Sequence, residues 1–476
     1  MRTLERLIVV LLLPAVLWSF HPALPAWFRL FAVLAAILIP IHAWLEGMHW
    51  QMVPAYIAAA ILLLCASGIV AGEPARLICA IGSCLLLMAS LTFSWVLPMF
   101  NLPLPTGKYP VGTRMLRLVD VNRAEMHARA KPGNREVVVQ LWYPSATAKG
   151  RKAKYRQRND ISRRSSYQAV LASHSLQDAP MAIGRFPIIV HNPAWHDSCC
   201  RETFMMQELA SHGFVVAAVS HPYNSSRVEL SDGSIAYPNH DQDLGFSLRC
   251  YIPLHERLAL AEEELAIHTA DCRFVLDELA RFDQTVGHPL EGRLLMDRVA
   301  GHGISFGGAV AMELANEDAR VCSAVGLDGV LHGSVAVHGL DKPFLFIDSR
   351  WMVTPDEVDA NANIRDIETT KMWKDIADLK TNLLSRCGGM RVIVEGIGHA
   401  DFSDQIFMSP LRRLSHAGVV PPKQVARIIN AYCVAFFRQT LCNHEEEILA
   451  AGAQTFSEAT LSIGPQSIVD TSTRCV

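Results

Sequence analysis

Apolar residues are concentrated in four long runs at the start of the chain. These runs are Leu7–Phe20, Trp27–Trp44, Val53–Ala71 and Leu77–Met99. A helix needs about 20 apolar residues to cross the hydrocarbon core of a bilayer, and most of the runs approach or exceed that length. Each run is apolar on every face, whereas a helix that covers a soluble core is apolar on one face. The pattern predicts an all-α transmembrane region of about four helices over residues 1–100.

The first run allows a second interpretation, because it is short and follows the charged segment Met1–Arg6. A charged start before a short apolar stretch is typical of a signal sequence. However, no convincing small-x-small cleavage site precedes Trp27, and further apolar runs follow. We therefore expect the first run to be a retained membrane anchor.

The basic residues predict an orientation for this anchor. With four spans, both ends of the membrane region lie on one side, and Lys and Arg favour the cytoplasmic side. Basic residues near the two ends outnumber those in the opposite loops: Arg2, Arg6, Lys108, Arg114 and Arg117 against Arg29 and Arg76. We expect a multi-pass protein of the cell or inner membrane with its C-terminal domain in the cytoplasm. Cleavage of the first run would place that domain on the other side.

The pattern changes after a linker at residues 101–108, where Pro103, Pro105 and Gly107 stop the last apolar helix. Short apolar segments then alternate with helical patterns, which indicates a mostly parallel sheet with helices on both faces. The predicted strands are Met115–Val121, Glu136–Tyr143, Pro187–Val190, Phe214–Val219, Val321–Leu327, Phe344–Ile347 and Arg391–Val394, and the predicted helices include Glu202–Ser211 and Glu256–Leu279. We expect this α/β domain over residues 109–450 and a polar, surface-lying tail over residues 451–476.

A basic stretch lies near the start of the α/β domain. It contains one acid, Asp160, and the basic residues Lys149, Arg151, Lys152, Lys154, Arg156, Arg158, Arg163 and Arg164. A solvated loop explains this composition. Contact with anionic lipid headgroups is the alternative, because each basic residue near such a surface contributes about 1 kcal/mol.

Composition narrows the classes of function. The net charge of the 476 residues is −3, so the overall charge gives no reason to expect a nucleic-acid partner. Of the 12 cysteines, Cys65, Cys79 and Cys84 lie in the apolar N-terminal region. The odd number that remains, at irregular spacing, is poor evidence for a disulfide framework and suits a reducing compartment.

The segment Gly303–Gly307 fits the G-x-S-x-G nucleophile elbow, with Ser305 at its centre. In such an elbow a strand meets a helix through a sharp turn, and the two glycines leave room for it. Apolar residues lead into the motif, and the small-residue run Gly307–Ala311 opens a helical pattern. Because the short motif also occurs by chance, the interpretation depends on partners elsewhere in the chain.

Two candidate partners follow the serine at strand ends. A serine nucleophile needs a base, and the base needs an acid that orients it. In α/β-hydrolases these residues follow the serine in the order acid, then histidine. Asp328 follows the strand Val321–Leu327, and His399 lies in a glycine-flanked loop after Arg391–Val394. The order predicts a triad of Ser305, Asp328 and His399.

The tetrahedral intermediate of ester hydrolysis also needs N–H donors. The backbone N–H of Phe306 is one candidate, and the backbone N–H of Trp195, in the loop after Val190, is the other. In the same loop His191, His196, Cys199 and Cys200 could be metal ligands, but their spacing fits no zinc pattern well. We therefore predict no metal and no cofactor.

With these motifs the chain resembles the platelet-activating factor acetylhydrolase family of the type II and plasma kind, from about Tyr109 to Phe407. The similar segments are Val111–Arg114, Leu118–Asp120, Trp142–Pro144, Leu209–Ala217, Ser305–Gly308, the segment to Leu327-Asp328, and His399-x-x-Phe402-x-Asp404. The resemblance implies an α/β-hydrolase fold and calcium-independent removal of short or oxidised acyl groups from phospholipids. It also implies that Ser305 is the nucleophile, Asp328 the acid and His399 the base.

Two positions depart from the family pattern. Ile304 precedes the serine where the family usually has histidine, and the oxyanion loop is replaced by His191–His196. Within that loop Pro193 has no N–H to donate. These departures bear on the second oxyanion donor and on specificity for acetyl groups.

The sequence thus predicts a membrane-anchored serine esterase that hydrolyses carboxylic esters of a lipid-like or small substrate through an acyl-enzyme. One alternative is a catalytically silent hydrolase domain that acts as a membrane sensor or scaffold, as the altered oxyanion loop would allow. Another is a related amide or polyester hydrolase. The sequence leaves the oligomeric state open.

Overall fold

The structure is a computed structural model that describes residues 1–70, 72–127, 133–157, 160–163, 165–239, 253–353, 364–412 and 417–465. Arg158 and Arg164 of the basic stretch and the end of the predicted tail lie outside these residues. The chain divides into two compact units. One comprises Met1–Asn101, Lys154–Ala172 and Phe407–Arg412, and the other comprises Leu102–Ala153, Ser173–Ile406 and Arg413–Val476.

Helices dominate the first unit. They are α1 (Thr3–Phe20), α2 (Arg29–Leu45), α3 (Val53–Ala66) and α4 (Glu73–Val96). Small and branched apolar residues fill their common core, among them Leu12, Ala35 and Ala58. Outward positions are also apolar: Val10 is 58% exposed and Ile78 is 70% exposed. Apolar residues on both inner and outer faces are typical of helices that face lipid.

Among the residues of this unit that the structure describes, three helical segments are long and apolar enough to cross a membrane. They are Thr3–Phe20, Ala26–Leu45 and Glu73–Val96, whereas the apolar segment Trp50–Ala66 is shorter. These segments correspond to the four apolar runs of the sequence. The number of passes and their direction remain predictions.

The basic stretch is divided between the units, since the part from Lys154 onward belongs to the helical unit. Arg156 in this part is buried, and its guanidinium lies 5.7 Å from the ring centroid of Tyr155. Buried packing of Arg156 removes one charge from the proposed headgroup surface. Contact of the other basic residues with lipid remains a prediction.

The second unit is built around a sheet. The strands are β1 (Val111–Ala124), β2 (Asn134–Pro144), β3 (Lys152–Lys154), β4 (Ala172–Gln177), β5 (Phe186–Asn192), β6 (Val215–Ser220), β7 (Val228–Glu229), β8 (Ile235–Ala236), β9 (Leu294–Ile304), β10 (Val321–Leu327), β11 (Phe344–Ser349), β12 (Met390–Val394) and β13 (Ala459–Ile463). Among the described residues, eleven of them form one sheet in the order β13-β12-β11-β10-β9-β5-β6-β2-β1-β4-β3. The six strands from β12 to β6 in this order run parallel, and β2, β1 and β13 add antiparallel pairs.

Helices cover both faces of this sheet. They are α5 (Thr203–Ser211), α6 (Leu254–Gln284), α7 (Phe306–Glu317), α8 (Gly333–His338), α9 (Arg350–Val353), α10 (Ile364–Cys387), α11 (Gln405–Met408) and α12 (Pro422–Cys442). Neighbouring residues of β10 show the two faces. Ala324 belongs to the core cluster that contains α6 and α7 residues, whereas the Ser323 hydroxyl lies 2.9 Å from the Thr440 hydroxyl on α12. Successive side chains of a strand point to opposite faces, so α7 and α12 lie on opposite sides.

The predicted α/β-hydrolase fold preceded by a helical region is confirmed. The strands follow the predicted apolar segments. The side chains of β5, β6 and β10 are buried along almost their whole length, and those of β9 are buried from Val299 to Ile304. The tail after Ala450 differs in one respect from the surface-lying segment that composition predicted. Its residues Ala459–Ile463 form β13, which extends the sheet beside β12.

A buried ion cluster joins α10 to the sheet. The ammonium group of Lys380, on α10, lies 2.5 Å from Asp348 Oδ1 and donates to the Gly329 carbonyl at 3.1 Å. Arg391 Nε on β12 lies 2.8 Å from the other Asp348 oxygen. Burial lowers the pKa of Lys380, and the negative charge of Asp348 opposes that shift. The cluster therefore links α10 to the end of β11, to β12 and to the segment that follows β10, near the candidate site.

We predict that Asp348→Ala destabilises the protein by about 3–5 kcal/mol, because two buried cations would lose their carboxylate partner. Asp277→Ala is a matched control: Asp277 is 65% exposed and pairs with Arg320 at 2.8 Å, so its loss should cost at most about 1 kcal/mol. Urea unfolding of the full-length protein, followed by tryptophan fluorescence, measures both variants. Equal losses in the two variants would contradict the assigned role of the cluster.

Candidate active site

Ser305 occupies the turn between β9 and α7 with φ 55° and ψ −120°, a backbone conformation that is strained for a residue with a side chain. The two motif glycines permit this turn. A Cβ atom on Gly303 would lie 1.9 Å from the Gly307 carbonyl oxygen, and one on Gly307 would lie 2.2 Å from the Asn192 carbonyl oxygen. The close crossing of β9, α7 and the end of β5 therefore excludes any side chain at these two positions. The motif forms the sharp strand–turn–helix geometry that was predicted, and Ser305 is partly exposed at the turn.

Asp328 lies beside the elbow, at the end of the neighbouring strand. The strands β9 and β10 are in register so that Leu327 pairs with Ile304, and the Ser305 N–H donates to the Leu327 carbonyl at 2.9 Å. The Asp328 carboxylate is fully buried. One of its oxygens accepts hydrogen bonds from the Ser349 N–H at 2.7 Å and from the Ser349 hydroxyl at 2.8 Å.

His399 meets the second oxygen of the same carboxylate. It begins a short 3-10 turn, His399–Phe402, after β12, and its Nδ1 lies 2.7 Å from Asp328 Oδ2. A carboxylate can only accept, so Nδ1 carries the hydrogen and donates it, which leaves Nε2 as the basic nitrogen. The His399 side chain is 42% exposed. The predicted acid and base are thus in direct contact, with the imidazole accessible from outside.

The pair is electrostatically coupled. Burial raises the pKa of Asp328. Hydrogen bonds from His399 and Ser349, together with the charge of the His399 imidazole, outweigh this effect, so the pKa of Asp328 lies below its ordinary value. Loss of hydration lowers the pKa of His399, whereas its hydrogen bond to Asp328 and the charge of that carboxylate raise it, and the balance lies above the ordinary value. The geometry thus holds an ionised acid against a histidine of increased basicity.

Ser305 and His399 lie on loops at the same edge of the sheet, because both follow parallel strands. Among the described residues, the Ser305 hydroxyl makes no hydrogen bond to His399. Catalytic hydrogen bonds are often long in the absence of substrate. The structure therefore joins two of the three predicted residues directly and leaves the contact of the third as a prediction.

The predicted oxyanion donors lie on either side of the elbow. Phe306 is the first residue of α7, so its N–H has no acceptor within the helix. Trp195 follows the segment that passes over Gly307, and its indole ring lies 4.8 Å from the Phe306 ring in an edge-to-face arrangement. Within the described part of the chain, the Trp195 N–H donates to no backbone carbonyl. Trp195, Phe306 and Ser305 line one pocket, and the role of the two N–H groups remains a prediction.

Ser305 lies in the wall of an open pocket. Its volume is about 450 Å³, including the solvent space at the entrance. Its lining is mostly apolar and includes Trp195, Phe306 and Val330 near the elbow, Ala261 on α6, and Met372 and Trp373 on α10. Two polar residues, Arg257 and His332, complete the wall. Burial lowers the pKa of His332, so this ring is neutral near pH 7. The pocket can hold an apolar group beside the serine.

The residues considered as metal ligands have other contacts. His191 Nδ1 lies 2.7 Å from His302 Nδ1, and its Nε2 lies 3.2 Å from Glu202. Burial lowers the pKa of His191 to about 3, so the ring is neutral. Cys199 and Cys200 contact each other, with 3.4 Å between their sulfur atoms. His302, which stands upstream of the serine, is therefore part of a buried pair behind the elbow.

A second polar network supports the loop that carries Trp195, and it had no local signal in the sequence. His221 and His268 stack with 3.8 Å between ring centroids, and His221 Nδ1 lies 2.9 Å from Asp271. Asp271 also binds Arg135 at 2.6 Å. His221 Nε2 lies 3.3 Å from the Asn192 side chain, two residues before Ala194 and three before Trp195. The four partners come from β2, the end of β6 and α6, so only the folded chain brings them together.

The motif that follows His399 anchors its loop. The Asp404 carboxylate accepts hydrogen bonds from the N–H groups of Thr203 and Phe204 at 3.0 and 3.1 Å, at the start of α5. The Asp404 N–H in turn donates to the Arg201 carbonyl at 2.6 Å. A carboxylate at a helix N-terminus satisfies N–H groups that the helix leaves free. Asp404 thus ties the histidine loop to the loop that carries Trp195.

Residues 97–455 match the model of the family "Platelet-activating factor acetylhydrolase, isoform II". This match covers most of the chain, including Ser305, Asp328 and His399. The chain belongs to this family. The predicted resemblance is confirmed, and the family region begins at the end of the helical unit.

Two curated relatives match a shorter part of the chain. The platelet-activating factor acetylhydrolases of Bos taurus and Canis lupus familiaris are each 27% identical to it, over 176 and 173 residues. Each match covers 32% of this chain and 37% of the relative. The chain thus matches little more than a third of the length of these two relatives.

A solved structure is similar over a larger part of the chain than these two relatives. The ferulic acid esterase from Streptomyces cinnamoneus is 26% identical, with a TM-score of 0.58, and the match covers 76% of this chain and 99% of that protein. This family member therefore has the complete α/β-hydrolase fold joined to a helical N-terminal region.

We predict that Gly307→Ala destabilises the protein by about 1–3 kcal/mol, because the added methyl group would overlap the backbone of Asn192 and Pro193. Gly308→Ala is the matched control, since a methyl group there would meet its nearest atom at 3.3 Å. Urea unfolding should show a clear loss of stability only for Gly307→Ala. A harmless Gly307→Ala substitution would contradict the close crossing at the elbow.

Proposed function

We propose that the protein is a membrane-anchored serine esterase that hydrolyses carboxylic esters of a lipid-like substrate. The observation that carries this proposal is the contact between Asp328 and His399 at the sheet edge where Ser305 lines an apolar pocket. Family membership and the similarity to an esterase structure support ester hydrolysis as the reaction class.

In the proposed reaction His399 Nε2 removes the proton of the Ser305 hydroxyl as the serine oxygen attacks the ester carbonyl. Asp328 orients the ring and stabilises the imidazolium that forms. The backbone N–H groups of Phe306 and Trp195 donate to the oxyanion. The imidazolium then gives its proton to the leaving alcohol, and water activated by His399 releases the acyl group from Ser305.

The wall of the pocket supports a substrate with an apolar acyl group. Trp195, Phe306, Met372 and Trp373 surround the space beside the serine. We propose short or oxidised acyl chains of phospholipids. The name acetylhydrolase, which the family and its curated relatives share, supports the short chain. The apolar helices would hold the site near a membrane, with the hydrolase unit in the cytoplasm. A feruloyl ester is a useful comparison substrate, because the similar solved structure is a ferulic acid esterase.

We predict that Ser305→Ala abolishes hydrolysis of p-nitrophenyl butyrate and labelling by a fluorophosphonate, because the variant lacks the oxygen that forms the acyl-enzyme. Ser231→Ala, at an exposed position, is the matched control and should keep both properties. Circular dichroism checks that each variant is folded.

Two outcomes of this experiment would count against the proposal. If Ser305→Ala were as active as the wild type, the assignment of Ser305 as the nucleophile would be wrong. A folded wild-type protein that neither reacts with the probe nor hydrolyses acetyl, butyryl, feruloyl, amide or polyester substrates would favour the silent sensor or scaffold.

The coupling of His399 to Asp328 predicts the pH dependence of the reaction. Only neutral His399 can act as base, and its pKa lies above the ordinary value, so kcat/KM should fall as the pH decreases through a midpoint above about 6.5. Asp328→Asn should lower kcat by about 10⁴-fold and move the midpoint to lower pH, since the carboxylate no longer stabilises the imidazolium. A pH profile of butyrate hydrolysis tests both effects. A midpoint that Asp328→Asn leaves unchanged would contradict the proposed coupling.

A further inference from the structure

The helical unit contains a buried polar cluster that esterase chemistry does not use. We propose that Glu5, His42 and His49 bind a divalent transition-metal ion, with Zn²⁺ as the best match. The three side chains come from α1, the end of α2 and the segment before α3, and each has at most 1% exposure. One ligand atom from each lies within 4.8 Å of the others. Burial of such groups in an apolar helical unit is costly, which makes them candidates for a function.

The distances suit one ion. Glu5 Oε1 lies 2.9 Å from His49 Nε2 and 3.5 Å from His42 Nε2. Ligand atoms held about 2.0–2.1 Å from a tetrahedral Zn²⁺ are about 3.3 Å apart. Two imidazoles and one carboxylate are a ligand set that zinc sites use, with a fourth position for another group. Small adjustments of these side chains would therefore complete the site.

The hydrogen bonds of the outer ring nitrogens direct both Nε2 atoms toward Glu5. His49 Nδ1 lies 2.8 Å from Gln51 Oε1, and the Gln51 amide nitrogen donates to the Leu97 carbonyl at 3.3 Å. The amide oxygen must therefore accept, so Nδ1 of His49 carries a hydrogen. His42 Nδ1 lies 3.1 Å from the Tyr56 hydroxyl. Such second contacts orient metal-binding histidines and set their tautomer.

Charge gives an independent argument. Two carboxylates meet at the cluster, since Glu46 Oε2 lies 3.6 Å from His42 Nε2. Within the described residues this Glu46 oxygen is buried and has no hydrogen-bond partner. Arg2 supplies one positive charge to both carboxylates: its Nε pairs with Glu5 and lies 3.7 Å from Glu46 Oε2. The remaining negative charge and the two inward Nε2 atoms call for a second cation, and Glu46 can provide the fourth ligand.

Arg2 is a competitor within the cluster. Its guanidinium binds Glu5, donates to the carbonyls of Glu46 and Gly47, and lies 3.3 Å from His42 Nε2. The contact with His42 must open when an ion binds. The contacts with the two carbonyls at the end of α2 can remain, because the backbone oxygens of Glu46 and Gly47 are not proposed ligand atoms. Removal of the Arg2 charge should therefore strengthen metal binding.

The test measures zinc bound to the full-length protein in detergent, by elemental analysis and by titration of chelator-treated protein. We expect about one equivalent of Zn²⁺ per chain, a higher unfolding temperature with Zn²⁺, and d–d absorption bands with Co²⁺ in its place. His42→Ala and His49→Ala should lose the bound ion, whereas His21→Ala, at an exposed position of the same unit, should keep it.

Two further variants keep the test decisive if the alanine variants unfold. Tyr56→Phe preserves packing but removes the partner of His42 Nδ1, and should weaken binding by about 10–100-fold. Arg2→Gln should bind Zn²⁺ more tightly than wild type. The proposal is overturned if wild-type protein binds no zinc and shows no thermal shift. It is also overturned if the His21, His42 and His49 variants bind zinc equally. A third contrary result is pH-dependent unfolding without metal binding, which would mean that a proton on His49 supplies the second positive charge.

Discussion

The hydrogen bond between His399 and Asp328 is the interaction on which the candidate active site depends. A buried carboxylate is costly unless hydrogen bonds and nearby positive charge compensate it. Asp328 meets this demand with two bonds from Ser349 on one oxygen and His399 on the other. Ser349 is the last residue of β11, and His399 lies in the loop after β12. The compensation of the Asp328 charge therefore depends on the relative position of these two strands.

The same edge also holds two strained residues side by side. Ser305 and Asp328 have φ of 55° and 43°, a conformation that costs about 1–3 kcal/mol for residues of this kind. Backbone bonds maintain it: the Ser305 carbonyl accepts from the N–H groups of Gly308 and Val330, and the Asp328 N–H donates to Ile347. This backbone conformation places the Ser305 hydroxyl at the edge of the sheet. The Lys380 ammonium group holds the adjacent segment through its hydrogen bond to the Gly329 carbonyl. The cost is borne by a parallel sheet whose strands are buried on both faces.

The sequence could predict what depends on local pattern. Gly303 and Gly307 predicted the sharp turn at Ser305. The apolar segments before Asp328 and His399 predicted strand ends at one edge of a parallel sheet. Contacts between distant segments had no such signal. Ser349 follows an apolar strand like many other serines, and nothing in the sequence pairs it with Asp328. The pocket wall from α6 and α10 and the strand Ala459–Ile463 are likewise products of tertiary packing, because their residues gain their partners only in the folded chain.

The two buried carboxylate–histidine centres differ in whether the imidazole is accessible from outside. Asp328 and Glu5 are both fully buried, and each contacts an imidazole within 3 Å. At Asp328 the imidazole is 42% exposed, so its free nitrogen can meet a substrate. At Glu5 both imidazoles are buried, and their outer nitrogens are occupied by Gln51 and Tyr56. A small ion can enter such a centre and an ester cannot. A carboxylate–imidazole pair therefore suits acid–base chemistry at the proposed active site and cation binding at the proposed metal site.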